Sequence, residues 1–332
     1  MTSNIRPLAA PSARPQIFRR DRLLLVILIL LCAAGLVGIA KSTNWRDILS
    51  QITRLGAWQI AVLLGLSAIN YLLRGLRWHL FVQSLDLHPR LLANLVHFLG
   101  GFAMSVTPGR VGELVRLRWL ARDAGVSLDR AAPVLLGDRA SDLAALAILL
   151  AGALGFATLS IHGALPIMLL AFGSAVVVTH PGLTAACVTL AYRACGRRAP
   201  RRFARLRAAS RRLGRFARPQ VFVPALLCGL IGWSAEAWAF HLLLGWFGAD
   251  TGFATALAIF IFSTLAGGLT GAPGGLGGAE AAMVALLALD GTPIGTAVAA
   301  TALIRATTLW FAVGIGILAF PFAERATAMR GK

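Results

Sequence analysis

Phe253 to Glu280 reads FATALAIFIFSTLAGGLTGAPGGLGGAE: an uncharged apolar run as far as Thr270, a glycine-rich break around Pro273, then an acid. A helix needs about 20 apolar residues to cross a hydrocarbon core of roughly 30 Å. Here glycine and proline interrupt the helix at about that length and a short second apolar helix follows, the pattern of a broken hairpin. The chain does this twice. Leu91–Thr107 is apolar and stops at Pro108-Gly109-Arg110-Val111-Gly112-Glu113, and the run from Phe98 to Glu113 is echoed from Phe262 to Glu280. After each break a further helix carries an arginine, Arg139 or Arg305. The prolines are 165 residues apart, the glutamates 167 and the arginines 166, each about half of the 332-residue chain. The chain therefore reads as an internal duplication.

The rest of the sequence says what surrounds these breaks. Hydrophobic residues make up 58% of the chain and charged residues 14%, with a mean hydropathy of +0.75. A water-soluble domain carries about 25% charged residues. Six further apolar blocks stand out: Leu23–Ala40, Ala57–Leu73, Ala131–Ala157, Ala164–Leu190, Val221–Phe247 and Thr296–Phe320. They are continuous and rich in Leu, Ala and Gly rather than alternating, so they satisfy their backbone groups as helices and not as a barrel. The expected fold is an all-α integral membrane bundle of about 6–8 transmembrane helices, by the length rule.

The formal charge of +19 follows topology. Arginine is concentrated between apolar blocks, as the positive-inside rule expects of cytoplasmic loops, and no nucleic-acid partner is needed to explain it. The segment 193–218 carries eleven arginines and no acid, which reads as a cytoplasmic loop that can also meet anionic headgroups. A basic N-terminus, 1–22, precedes a transmembrane domain over 23–322, and a basic tail occupies 323–332. The apolar run Leu23–Ala40 exceeds the usual 7–15-residue core of a signal peptide, so an uncleaved first span is expected. Arg74, Arg77 and Arg90 flank the first hairpin on one side; Arg116, Arg118, Arg122 and Arg130 flank it on the other. A re-entrant hairpin keeps both basic flanks inside. The second hairpin is flanked by Asp250 and Asp290 and by no Lys or Arg, so it would enter from outside. The repeat halves, about 57–157 and 221–320, would then be inverted, with both termini cytoplasmic. Eight full spans with a parallel repeat is the alternative.

Ionisable residues inside apolar helices cost at least 2.5–3.5 kcal/mol each on insertion scales, about the size of a good ion pair, so each needs a partner or a task. Asp138 and Asp142 share a helix face at i, i+4, and Arg139 lies i, i+3 from Asp142. Glu113 and Glu280 follow the glycine-rich breaks, where Arg110 or the exposed N–H groups suit an anion. The candidate translocation site is Arg110, Glu113, Arg116, Asp138, Arg139, Asp142, Glu236, Pro273, Gly274, Gly275, Glu280 and Arg305. In one reading the arginines hold an anionic headgroup near the midplane; in the other, Glu113–Arg139 and Glu280–Arg305 are packing ion pairs. Glu236 and His241 are either a relay or a hydrogen-bonded pair, and the tryptophans around them read as interfacial anchors. The four cysteines have no metal-site spacing, and neither a cofactor nor a metal is expected. No Gly-x-Ser-x-Gly, His-Glu-x-x-His or P-loop motif is present, so an enzyme is not the expected reading.

Pro108-Gly-Arg110-Val-Gly112-Glu113-Leu-Val-Arg116, Asp138-Arg139-Ala-Ser-Asp142-Leu and Pro273-Gly-Gly-Leu-Gly277-Gly-Ala-Glu280 together resemble the flippase-like domain of the lysylphosphatidylglycerol synthase transmembrane-region family. The resemblance runs from about Ile48 to Phe322. Family members more often have Glu where Asp138 stands. Synthase members also carry a soluble aminoacyl-transfer domain, which does not follow here, so aminoacylation is not carried over. The resemblance implies a lipid translocator of a bacterial inner membrane, acting on a phospholipid, isoprenoid or hopanoid-type lipid. Membrane lipids and a lipid-biosynthesis enzyme are the partners implied. An intramembrane transferase component and a non-transporting scaffold are the competing expectations.

Overall fold

The structure, a computed structural model, describes residues 53, 55–107, 114–157, 164–194, 196, 203–204 and 212–328. Leu23–Ala40, Arg110 and Glu113 lie outside the described residues, as do the basic N-terminus and most of the Arg-rich segment. Among the described residues there are helices and no strands. They are α1 (Ala57–Ser84), α2 (Leu91–Gly100, continued by a 3₁₀ turn Gly101–Met104), α3 (Leu114–Asp123) and α4 (Leu128–Leu154). Then come α5 (Ala164–Thr179) and α6 (Pro181–Ala194). The second half has α7 (Pro219–Trp246), α8 (Phe253–Leu269), a 3₁₀ turn Pro273–Gly275, α9 (Gly278–Leu289), α10 (Ile294–Arg305) and α11 (Phe311–Ala328). A π-helical turn, Ala306–Trp310, joins α10 to α11.

The duplication is visible in this order: long helix, broken hairpin, long helix, twice. α1 and α7 are each 28 residues long and start 162 residues apart, as do α2 and α8. Even the helix ends repeat. α1 closes with Asp86 at φ 59° and a Leu87 N–H donating to the Val82 carbonyl. α7 closes with Gly248 at φ 77° and Ala249 N–H donating to Leu244. This left-handed cap costs a glycine nothing, whereas Asp86 is among the few side chains that tolerate it.

The halves are inverted. α1 and α7 pack along their length, with Trp58 at the start of α1 against Trp246 at the end of α7, ring centroids 5.4 Å apart. Midway, a Cβ on Gly232 would lie 2.6 Å from Asn70 Oδ1. At the other end Phe81 of α1 meets Phe216, just before α7, at 4.7 Å. Equivalent helices thus run antiparallel, the geometry of an inverted repeat.

The helices fall into two length classes. α1, α7 and the continuous α10–α11 element Ile294–Ala326 are long and apolar enough to cross a membrane. At about 1.5 Å per residue and 2 Å in 3₁₀ turns, α2 with its turn reaches ~23 Å, α3 ~15 Å, α8 ~26 Å and α9 ~18 Å. Each of these four is shorter than the roughly 30 Å core, the length expected of a hairpin that enters and leaves on one side. α8 and α9 touch almost backbone to backbone: a Cβ on Gly267 would lie 2.6 Å from that of Ala279.

Two boundaries differ from expectation. α1 continues eleven residues past Leu73 to Ser84, so Arg74 and Arg77 are helical and buried rather than part of a basic loop. The block Ala164–Leu190 is two helices broken at His180. Pro181 has no N–H to donate and disfavours helical backbone in the residue before it.

Candidate functional site

Beside a small cluster of Met104, Val106 and Val313, the apolar interior holds two large cores. One gathers Leu63 of α1, Ala145–Leu150 of α4, Trp233–Leu244 of α7 and Ile259 of α8. The other gathers Tyr71–Val82 of α1, Phe98 of α2, Leu120 of α3 and Val134 of α4. Between them lies a buried polar layer: Asn70, Arg74 and Arg77 on α1, Asp138 and Asp142 on α4, Glu236 on α7.

Arg77 anchors the layer. It is 0% exposed, and its Nη2 lies 2.6 Å from Asp138 Oδ1 and 2.8 Å from Asp142 Oδ1. Its Nε also donates to Asp138, at 3.2 Å. Arg74 reaches the other oxygen of Asp142 at 3.1 Å and stacks over the rings of Trp233 at 5.4 Å and Phe102 at 5.8 Å. Trp233 donates its indole N–H to Asp142 Oδ1 at 3.1 Å. The i, i+4 acids therefore do share a face, but their close partners come from α1. Arg139 approaches Asp138 and Asp142 only at 3.8 and 3.7 Å. Asp142 gathers three donors on one carboxylate, with Arg139 as a further nearby charge, and that is what makes its burial tolerable.

The second half builds its own clasp. Arg305 Nε donates to Glu280 Oε1 at 2.6 Å, and Nη2 donates to the Gly274 carbonyl at 2.8 Å. One guanidinium fork thus ties α10 to both sides of the hairpin break that Pro273, Gly274 and Gly275 create. Glu236 stands between the two systems: Asn70 and Tyr71 face it, and Arg74, Arg305 and Asp142 lie within electrostatic reach. His241 is not its partner. That ring meets the Thr251 carbonyl at 3.1 Å and the rings of Trp238 and Phe253. Arg116 belongs elsewhere too, stacked on Trp78 at 4.9 Å and Phe98 at 5.0 Å inside the first hairpin. Among the described residues no cluster suits a metal ion.

Sequence reasoning missed Arg74, Arg77 and Trp233. Helical spacing was the available signal: Asn70, Arg74 and Arg77 at i, i+4, i+7 form one polar stripe on α1. Nothing in the sequence marks Trp233 as a donor rather than an interfacial anchor.

A cavity of about 480 Å³ opens beside the layer, bounded by α4, α5, α7 and α8. Leu143, Leu146, Ile167, Leu170, Leu265 and Leu269 wall it; Arg139, Asp142 and Trp233 form its polar end. Leu170 and Leu269 are more than half exposed at the outer surface of the bundle.

Residues 23–316 match the family described as lysylphosphatidylglycerol synthase TM region. The chain belongs to that family. It is also similar to a protein named UPF0104 membrane protein from Methanothermobacter thermautotrophicus (strain ATCC 29096 / DSM 1053 / JCM 10044 / NBRC 100330 / Delta H), at 30% identity over 93 residues. That match covers 28% of each chain. Family membership and helix length together make this a membrane protein.

Proposed function

We propose that this protein moves a lipid with an anionic headgroup across a bacterial inner membrane, its own termini on the cytoplasmic side. One observation carries the reading: the 480 Å³ cavity is apolar along its walls and ends on Arg139, Asp142 and Trp233. Acyl chains fit the leucine-lined part, and the phosphate would compete with Asp142 for Arg139 and Arg74. Arginine binds phosphate through two parallel N–H bonds, which favours a phosphodiester over a neutral headgroup. The inverted repeat supports transport over fixed binding, because two related halves packed antiparallel can exchange conformations about one central site. Two short hairpins, held by glycine contacts, are the segments that could shift without unfolding a full span. The described residues give a transferase no obvious catalytic constellation.

The test is a headgroup-protection assay in proteoliposomes containing fluorescent phosphatidylglycerol. Wild-type protein should expose inner-leaflet label to an impermeant quencher, and Arg139→Gln and Glu280→Gln should slow that exposure at least tenfold. Unchanged scrambling in both variants, with folding verified, would sink the reading.

A further inference from the structure

Glu236 is the buried acid that the ion pairs above leave out. It is 4% exposed. Among the described residues it forms no ion pair, while Asp138, Asp142 and Glu280 each have one. Its place is not arbitrary. Glu236 is the eighteenth residue of α7, and Arg74 is the eighteenth residue of α1. The inversion that exchanges the halves therefore exchanges this acid with that arginine, and puts both where α1 crosses α7 beside Asn70 and Gly232.

Each helix packed on α7 contributes a known set of charges here. α1 brings Tyr71 and Arg74, α4 brings Asp142, α10 brings Arg305, and α8 carries no charged residue. Both arginines are already engaged, Arg74 with Asp142 and Arg305 with Glu280. An ionised carboxylate at such a place is an unpaired charge in a low-dielectric interior, which costs several kcal/mol. A proton on the carboxyl removes that cost. It also stops Glu236 from drawing on the fields of Arg74 and Arg305, leaving them to a second anion.

We propose that Glu236 is a proton-binding site whose occupancy is linked to binding of an anionic lipid by the arginines on either side of it, so that proton and lipid are carried together. The inference rests on the translocation reading above. The proton is taken up by the carboxylate on one side of the membrane and released from the carboxyl on the other, with no other bond changed. Linkage is reciprocal: if the proton tightens lipid binding, bound lipid tightens proton binding by the same factor.

Two measurements test this on the full-length protein. The first is infrared difference spectroscopy in lipid nanodiscs across a pH titration. Wild type should show a titrating protonated-carboxyl band that Glu236→Gln lacks and that Glu236→Asp retains with a displaced midpoint. A spectrum identical in wild type and Glu236→Gln overturns the proton site. The second is movement of fluorescent phosphatidylglycerol in proteoliposomes under an imposed pH gradient. Wild type should accelerate by about tenfold, within the usual range of site coupling, and Glu236→Gln should move lipid at a rate indifferent to the gradient. Scrambling that ignores the gradient, or that responds only to a sodium gradient, overturns the linkage and leaves translocation standing. Absence of scrambling in wild type overturns translocation itself, and the infrared titration then decides Glu236 alone.

Discussion

Tyr71 and Trp233 occupy the same place in opposite halves, each the fifteenth residue of a 28-residue helix. They also donate to equivalent positions of the opposite half. Tyr71 donates its hydroxyl to the Thr308 carbonyl, and Trp233 donates its indole N–H to the Asp142 carboxylate. Thr308 and Asp142 are themselves 166 residues apart, the spacing that separates Arg139 from Arg305. The scaffold is thus two-fold down to single hydrogen bonds, while the charge on it is not: a backbone carbonyl stands in one half where a carboxylate stands in the other.

That asymmetry predicts unequal losses. Tyr71→Phe removes a neutral bond and should cost about 1 kcal/mol; Trp233→Phe removes a bond to a charged acceptor and should cost about 1.5–3 kcal/mol. Thermal unfolding in detergent compares them. Equal losses would mean that Asp142 does not depend on Trp233.

Arg77→Met leaves Asp138 without its closest partner in a fully buried site, and removing one member of a buried pair costs about 3–5 kcal/mol. We expect poor yield and early aggregation on size-exclusion chromatography. Arg77→Met with Asp138→Leu should recover much of the folding, since paired apolar replacement of buried ions is often neutral. Failure of the double variant to improve on the single one would argue against a direct Arg77–Asp138 pair.

Close packing of α11 on the first hairpin gives a third outcome. A Cβ on Gly316 would lie 2.1 Å from the Ala103 backbone nitrogen, whereas one on Gly314 would meet nothing within 4 Å. Gly316→Ala should therefore cost about 1–3 kcal/mol through overpacking. Gly314→Ala, on the same helix, should be neutral or slightly stabilising because alanine favours helix. Similar melting temperatures for the two would contradict the contact.

Near the start of α7, Arg215 donates to the Asp86 carboxylate and to the Ser84 carbonyl at 3.3 Å. That hydrogen bond and charge hold the Asp86 carboxyl below the usual carboxylate range. The sign follows: a depressed folded-state value contributes stability above the ordinary pKa of about 3.9, lost as pH falls through the folded value. Asp86→Asn keeps the left-handed backbone comfortable and removes only the charge. Its melting temperature should fall slightly below wild type near neutral pH and converge with it under acid conditions. A deficit that persists in acid would point to something other than the ion pair.

How much of this was legible beforehand varies by residue. Glu280 with Arg305 could be read from the repeat, because each follows its break at a matched distance. The sharing of a face by Asp138 and Asp142 follows from helical period alone. Arg74 and Arg77 misled, because arginines at the end of an apolar run look like a cytoplasmic flank, and hydropathy gives no credit for a partner on another helix. His241 misled in the opposite way: its nearness to Glu236 in the chain is not nearness in space, since the two leave the helix on different faces.

By itself the sequence determined that the chain lives in a bilayer, that it is duplicated, and that its second hairpin breaks around Pro273. Those conclusions rest on local quantities: the length of an apolar run, the stiffness of proline, the spacing of matched residues. Only the tertiary structure decided which charges meet. Arg77 finds Asp138 and Asp142 because α1 crosses α4, Trp233 finds Asp142 because α7 crosses both, and Glu236 remains without an ion pair where the halves meet. Pairing in a low-dielectric interior depends on distance in three dimensions, which helix period constrains within one helix and leaves open between helices.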